Sequence, residues 1–526
     1  MEQAEESQIE INEQFKKALD LLERTGKNIF ITGKAGTGKS TLLQYFRKYT
    51  KKAIVVLAPT GVAAVNIDGM TIHAFFHFKP DITKEKVARI ERPSAGIYQS
   101  IGMIIIDEIS MVRADLLDCV DKFLRLNGKN KNKPFGGVQM VFIGDLYQLP
   151  PVVVGKEMAL FRSEYKSQYF FDAHVCQQES FQMEFIELEK IYRQKDEQFI
   201  RLLNAIRNKS ATDHDIDAIN KRVMINFEPK ENECYLSLTT TKALSEEINR
   251  KELAKIKEKM YMNKGVIEGK FEQSHLPTEI ELQLKVGAQI MLVNNDIGKR
   301  WVNGTVGKII EIEERGKKVQ VQVELPNGAT VKVKPHTWDV SRMFYSKEKG
   351  GLDSEIMGSF TQLPLRLAWS VTIHKGQGKT FDNVIIDIGY GTFTHGQVYV
   401  ALSRCTTLEG IVLRKPIQKK HIFMDWKIVN FLTKHQYKIA EKKMTVPDKI
   451  KMIEEAIKEN AKLEITYLKA SDEKSHRIIK PSVVGEMEYQ GRSYIGVEGY
   501  CFKRKDDRVF RVDRILELKK VEEKQK

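Results

Sequence analysis

The sequence predicts an α/β protein: two parallel cores, a small β-barrel inserted into the second, and a compact α+β segment at the C-terminal end. Three observations predict it. Short apolar runs each end in a Gly- or Pro-containing loop and lead into a helical pattern. Residues 282–345 switch to alternating short strands. Beyond about Leu432 a lysine-rich helical stretch precedes the final segment.

In the first set, Asn28–Thr32 precedes a glycine loop and Ile54–Ala58 runs into Pro59-Thr60-Gly61. Met103–Ile106 runs into Asp107-Glu108, and Gln139–Ile143 into Gly144-Asp145. Strands alternating with helices give parallel layers, with ligands at the carboxyl ends of the strands. The second set is Leu236–Leu238, Leu365–Ala368 and Val384–Asp387, closed by the helical Gln397–Ser403. Between them lie Ile309–Glu313, Lys318–Glu324 and Thr330–Lys334, with a Pro326-Asn327-Gly328 hairpin turn. The expected boundaries are 1–182 for the first core, 183–281 with 360–432 for the second, 282–359 for the barrel, 433–448 for a linker and 449–526 for the last domain.

A chain of 526 residues exceeds what one hydrophobic core supports. Its net charge of +15 favours a polyanionic partner, because neutralising phosphates releases counterions, although charge alone does not exclude a protein that is merely soluble and basic. The five cysteines are scattered with no CxxC pair, which points away from a disulfide framework or zinc site and towards a reducing compartment. Met1–Glu10 is acidic and lacks the features of a secretory signal, and no run reaches the ~18 apolar residues of a membrane helix. A cytoplasmic monomer without membrane association is expected.

Gly33-Lys34-Ala35-Gly36-Thr37-Gly38-Lys39-Ser40 fits the GxxxxGK[ST] phosphate loop and sits between a strand and a helix. Its glycines let backbone N–H groups approach phosphates, and the following helix N-terminus adds a favourable dipole. Lys39 is expected to reach the β and γ phosphates of ATP, and Ser40 to ligate Mg²⁺. Asp107 and Glu108 end an apolar strand, where an extended backbone sends them to opposite faces, Asp107 to hold Mg²⁺ and Glu108 to handle the attacking water. Gln148, beyond the next strand, is placed to sense the γ-phosphate. Arg193 and Arg404 are either γ-phosphate ligands or surface arginines, and spacing alone does not decide. Gln14 either reads adenine or is a solvated helix residue.

Together these segments resemble superfamily-one helicases, specifically the Petite Integration Frequency (PIF) family. The stretches that carry the resemblance are Gly33–Thr41, Ala58–Ala64, Thr71–His73, Asp107–Met111, Pro134–Gly137, Gly144–Pro151, Tyr192–Gln194, Leu284–Leu292, Val302–Gly304, Pro364–Gly378 and Tyr399–Arg404. They run colinearly over roughly residues 8 to 415, and Glu108–Arg125 looks like the signature separating this family from its cousins. The resemblance implies two RecA-like domains with ATP between them, Arg193 and Arg404 on the γ-phosphate, and Thr41 and Gly378 among the nucleotide-binding residues. It also implies Mg²⁺-dependent ATP hydrolysis, 5′→3′ movement on single-stranded DNA, and unwinding of duplexes, forks and often G-quadruplexes. One departure is Gly376, where the family usually has serine.

Loops at strand ends of both cores are expected to line a DNA channel, with Thr60 and Gly61 from the first and Thr361, Gln362, His374 and Lys375 from the second. His73 and Phe76 are expected to face DNA, where base stacking on an aromatic ring contributes ~1–3 kcal/mol; of Phe75 and Phe76, one packs in the core. The strand-separating pin falls either in the region of about 70–90 or at the Pro326-Asn327-Gly328 hairpin. From about Lys449 the chain resembles a WYL domain, through Leu463–Tyr467, Arg477–Pro481, Tyr494–Cys501 and Phe510–Ile515, with Ser493 in place of the eponymous tryptophan. There Arg477, Arg504, Arg511 and Arg514, with Tyr467, form either a basic patch for single-stranded nucleic acid or a solvated β-surface with internal Asp–Arg pairs. A DNA-stimulated ATPase switch, regulated through that domain without processive unwinding, is the alternative to a helicase.

Overall fold

The computed structural model describes residues 11–521, apart from 80, 89, 91–95, 154, 231–232, 270, 272–275, 297, 316–317 and 347–350. The chain divides into two compact units, one of residues 1–206 with 211–423 and one of residues 207–210 with 424–526.

The first unit opens with a six-stranded parallel sheet. Its strands are β1 (Asn28–Gly33), β2 (Ile54–Ala58), β3 (Met70–Thr71), β4 (Met103–Ile106), β5 (Gln139–Ile143) and β6 (Met183–Leu188), in the order β3-β2-β4-β5-β1-β6. β4 and β5 are buried along their whole length, as strands covered on both faces require. Ile29, Ile31, Ile105, Val141 and Ile143 pack beneath the helices Glu13–Arg24 and Lys39–Tyr49 through Phe15, Leu22, Leu42 and Phe46. β6 pairs with β1 from Asn28↔Met183 to Gly33↔Leu188, so the first core extends to Leu188 and not to residue 182. The apolar alternation of Met183–Leu188 suits either core; the register with β1 decides it.

The second core is a four-stranded parallel sheet begun by β7 (Leu236–Thr239). The inserted region then runs longer than expected, from residue 261 to residue 367. It comprises β8 (Tyr261–Lys264), β9 (Val266–Gly269), β10 (Glu281–Leu284), β11 (Gln289–Leu292), β12 (Val306–Arg315), β13 (Lys318–Glu324), β14 (Thr330–Val333), β15 (His336–Ser346), β16 (Gly351–Gln362) and β17 (Leu365–Leu367). Among the described residues these form a five-stranded sheet β14-β13-β12-β11-β17, a ribbon β15-β16-β9 and a pair β10-β8, pairings that do not include the closure the expected small barrel requires. Leu365–Leu367 pairs with β11 and so belongs to the insertion; the second core takes β18 (Ser370–Thr372) instead, with β19 (Val384–Asp387) and β20 (Ile411–Leu413), in the order β18-β7-β19-β20.

The second unit has its own core. The helix Val446–Lys458 lies on an antiparallel sheet of β21 (Leu463–Leu468), β22 (Lys474–Tyr489), β23 (Arg492–Cys501), β24 (Asp506–Arg511) and β25 (Ile515–Lys520), through Ile453, Ala456, Ile465, Ile479, Val497 and Ile515. The expected linker 433–448 is not a linker. Trp426–Lys443 is one 18-residue helix against β25, and Thr445 caps the next by accepting from the N–H of Asp448. No described helix is long and apolar enough to cross a membrane.

Candidate nucleotide site and nucleic-acid face

The loop after β1 turns through Gly36 (φ +80°) and Gly38 (φ +84°), backbone conformations that an L-residue adopts only with strain. At Gly36 there is no room either: an added Cβ would stand 2.6 Å from the Cβ of Arg193. Lys39, the first residue of its helix, folds its ammonium back onto the loop and donates to the carbonyls of Gly33 (2.8 Å) and Lys34 (3.0 Å). Burial lowers its pKa, opposed by the charges of Asp145, Glu108 and Asp107 around it. These acids lie at the ends of β4 and β5, the positions where a parallel sheet presents ligands.

Glu108 is not extended as expected. It is left-handed (φ 49°, ψ 43°), which starts the short 3₁₀ turn Ile109–Met111 and carries its carboxylate into the cleft. Asp107 is buried; burial first and the adjacent Glu108 second raise its pKa, and burial raises that of Glu108 as well. Glu108 and Ser40 line the same cleft, and with the neighbouring Asp107 they offer oxygen donors suited to a hard divalent cation that keeps most of its ligands as water and phosphate.

A cleft of about 670 Å³ lies over this loop. Ala35, Gly36, Thr37, Gly38, Lys39, Ser40, Thr41, Glu108, Gln148 and Arg193 line one side, with Gly378, Thr380, Arg404 and Thr406 from the second core. Gly33 ends β1 just outside it. Arg193 follows the first sheet's last strand, with Tyr192 N–H donating to Gly36 O at 2.8 Å, so it stands beside the phosphate loop, whereas Arg404 comes from the second core. The expected boundary at residue 183, which put Arg193 in the second core, is corrected accordingly. Arg193 Nη1 donates to Ser403 O at 3.0 Å, and Gln194 Nε2 to Cys405 O at 2.9 Å, so two motifs distant in sequence meet over the loop. Arg404 is 1% exposed, held by Val400 O, Lys379 O and Ser403 Oγ. Its pKa falls to about 9, from burial first and Arg193 second, with Glu108 and Asp145 acting in the opposite direction.

Three contributions were not read from the sequence. Phe15 and Tyr192 edge the cleft beside Gly38, an aromatic border of the kind that receives a base. Tyr399 accepts from Ala35 N–H at 2.8 Å and donates to Asp145 Oδ2 at 3.2 Å, tying the second core to the loop and to the end of β5. Both tyrosines lay inside recognised motifs, but nothing in the spacing assigns them. Gln14 is not among the cleft residues; its amide donates to Glu189 Oε2 (3.1 Å) and accepts from Glu189 N–H (2.9 Å).

Of the expected DNA contacts, Thr60 caps the helix Gly61–Asn66 by accepting from Ala63 N–H (3.2 Å), and Thr60, Gly61 and His73 are all half-buried at strand ends of the first core. Phe76 is not at the surface: it is fully buried, stacked on Phe78 (5.3 Å) and edge-on to Phe123 (5.3 Å), and Phe75 is buried as well. Its helix Ile72–Phe76 turns both rings inward. Gln362 is also structural, 1% exposed, with its amide donating to Ile280 O at 2.9 Å and accepting from Leu363 N–H at 2.8 Å; Thr361 shares a hydroxyl hydrogen bond with Thr337 (2.8 Å). His374 and Lys375 are half-buried after β18. Lys375 is pulled down to about 8 by burial, Arg366 and Lys242, and Lys379 to about 7 by burial, Arg366 and Lys375. Arg366 and Lys379, absent from the sequence reading, thus complete a crowded cationic cluster. Of the two pin candidates, residues 80 and 89 of the first lie outside the described residues, while the hairpin closes by Leu325 N–H to Ala329 O (2.8 Å).

In the second unit, Arg477 lies 5.8 Å over the Phe510 ring and donates to Ser475 Oγ at 3.2 Å, while Arg504 is exposed. Arg511 pairs with Asp513 at 2.6 Å and Arg508 with Asp506 at 3.3 Å, internal pairs of the expected alternative kind.

Residues 5–217 match the family described as PIF1-like helicase, and residues 448–520 match the WYL domain. The ATP-dependent DNA helicase Pif1 of Bdellovibrio bacteriovorus is 31% identical over 437 residues, 81% of this chain and 92% of that protein. The crystal structure of Bacteroides sp. Pif1 in complex with ADP-AlF4 superimposes with a TM-score of 0.71 at 36% identity, over 81% of this chain and 97% of that one. The structure of Bacteroides Pif1 bound to single-stranded DNA gives 0.61 at 37% identity, over 80% and 96%.

Proposed function

The chain belongs to the PIF1-like helicase family, and on that premise we propose that it couples ATP hydrolysis to 5′→3′ movement along single-stranded DNA. It is an ATP-dependent DNA helicase; it opens duplexes and forks, and G-quadruplexes where it meets them. The observation that carries this reading is the cleft itself, in which Arg193 and Arg404 stand over the phosphate loop of Lys39.

ATP enters with its phosphates on the N–H groups of residues 35–41 and its base beside Phe15 and Tyr192. Ser40 and Asp107 would hold Mg²⁺, which when bound neutralises phosphate charge. Lys39 leaves its carbonyl partners for the phosphate oxygens. Glu108 orients the attacking water, Gln148 senses the γ-phosphate, and the two buried guanidinium groups meet the γ-phosphate charge. Binding therefore draws the second core down through Arg404, and hydrolysis releases it. Thr60, Gly61, His73, His374 and Lys375 hold the strand alternately, with Thr361 as a further contact, and Arg477 and Arg504 give the second unit its own contacts to single-stranded DNA. Each base-pair step opposes this motion by only ~1.4 kcal/mol on average.

Strand displacement compared on 5′-tailed and 3′-tailed duplexes, with Lys39→Ala beside the parent protein, tests the proposal. Displacement is expected on the 5′ tail alone and is expected to vanish in the variant. Displacement by Lys39→Ala, or preference for the 3′ tail, would refute it; ATP turnover without displacement on either tail would favour the switch reading.

A further inference from the structure

The turn after β18 carries the residues expected to meet DNA and, two positions on, a side chain that reaches the hydrolytic carboxylate. Gln377 is 7% exposed, and its amide nitrogen donates to Glu108 Oε2 at 3.0 Å and to Gln148 Oε1 at 3.3 Å. One amide from the second core thus occupies both the group that orients water and the group that senses the γ-phosphate. The same amide's oxygen, Gln377 Oε1, is buried and has no hydrogen-bond partner among the described residues. A buried acceptor left unpaired is costly, so this side chain has something to gain by moving.

The turn is braced against internal deformation. Lys375 N–H donates to Thr372 Oγ1 (3.3 Å), Gly376 N–H to Thr372 O (3.0 Å), Gln377 N–H to His374 O (3.2 Å) and Lys379 N–H to Gly376 O (3.2 Å). Such a segment shifts as one piece, and a displacement imposed at His374 or Lys375 is delivered to Gln377. Gly376 allows this close packing: a Cβ there would lie 3.2 Å from Leu238 Cδ2, tight against β7.

We propose that Gln377 is a positioning residue that restrains hydrolysis until DNA binds. Without a strand in place, its amide ties Glu108 to Gln148. When phosphates engage His374 and Lys375, the turn shifts, Gln377 withdraws, and Glu108 and Gln148 are released to the water and the γ-phosphate. This rests on the helicase reading and on the roles given there to Glu108 and Gln148.

The test is ATP turnover by the full chain, with and without saturating oligothymidine, for the parent protein, Gln377→Leu (similar in size, no donor) and Gln377→Ala. A hydrogen bond to a carboxylate is lost in both variants, so DNA-free kcat is expected to rise by up to about tenfold. DNA-saturated kcat stays near the parent value, and the stimulation ratio falls by the same factor. DNA-free turnover that is unchanged, or that drops in step with the stimulated rate, overturns the inference, since a merely structural or catalytic role lowers both. A parent protein that oligothymidine does not stimulate defeats the helicase reading itself; a stimulated parent with unaltered ratios in both variants defeats this inference alone.

Discussion

At Tyr399 one hydroxyl serves a donor on the phosphate loop and an acceptor on Asp145, and the residue is 4% exposed. Tyr399→Phe leaves both partners buried, which costs about 1–3 kcal/mol; a lower melting temperature and weaker ATP binding are expected, and an unchanged KM for ATP would contradict the role. Phe76 gives the opposite kind of prediction. Because it sits in an aromatic cluster, Phe76→Ala is expected to destabilise the protein by about 3–5 kcal/mol in chemical denaturation. Affinity for oligothymidine well below the melting point stays at the parent value. Lys375 sets a pH dependence. Its charged form is disfavoured in the free protein, so it loses its proton as pH rises through about 8, whereas a bound phosphate favours the charged form. Affinity for single-stranded DNA should therefore weaken between about pH 7 and about pH 9, and Lys375→Ala should flatten that slope. Which residues of the candidate site were legible follows from distance along the chain. Lys39, Ser40, Asp107 and Glu108 lie in local turns whose spacing is diagnostic. The Gln362 amide N–H and the Tyr399 hydroxyl find partners 80 or more residues away, and no local pattern reveals whether an amide or a phenol faces solvent or another strand.

At the scale of elements, conformation corrects what periodicity suggested. An apolar strand ending in two acids reads as extended throughout, but the left-handed Glu108 breaks the alternation and gives the carboxylates their separate positions. β17 reads as a strand of the second core but pairs into the insertion, and the expected boundary at residue 182 cuts β6 from the first sheet, because only pairing register distinguishes the cores. The strand-loop-helix units of the first core, by contrast, were legible, since each joins an apolar run to a glycine or proline turn. The phosphate loop supplies the prediction here. Gly36→Ala adds a Cβ at positive φ against Arg193, and is expected to weaken nucleotide binding at least about tenfold, about 1.4 kcal/mol, while the far-ultraviolet circular dichroism stays the same. Calorimetric titration with ATP checks it.

For the whole molecule, the net charge of +15 predicts a DNA affinity that falls steeply with salt, with a log–log slope of about −0.7 per phosphate neutralised on a single strand. Removing Lys375 should reduce that slope by about 0.7, which titrations at several salt concentrations will measure. The second unit begins at residue 424, and Trp426–Lys443 buries Ile428, Val429 and Leu432. Truncation after Phe423 is therefore expected to leave a soluble ATPase with weaker DNA binding, while truncation after Thr445 strands an apolar helical face and aggregates; light scattering and turnover distinguish the two. That boundary was illegible because a lysine-rich composition resembles a linker even when every third or fourth residue is apolar.

Arg193 departs from the first sheet immediately after its final strand and rests on Gly36, whereas Arg404 reaches the same cleft from the second core. On the proposed mechanism the two guanidinium groups would then have unequal parts: the first a fixed anvil carried by the phosphate loop's own lobe, the second the hammer whose seating reports a third phosphate.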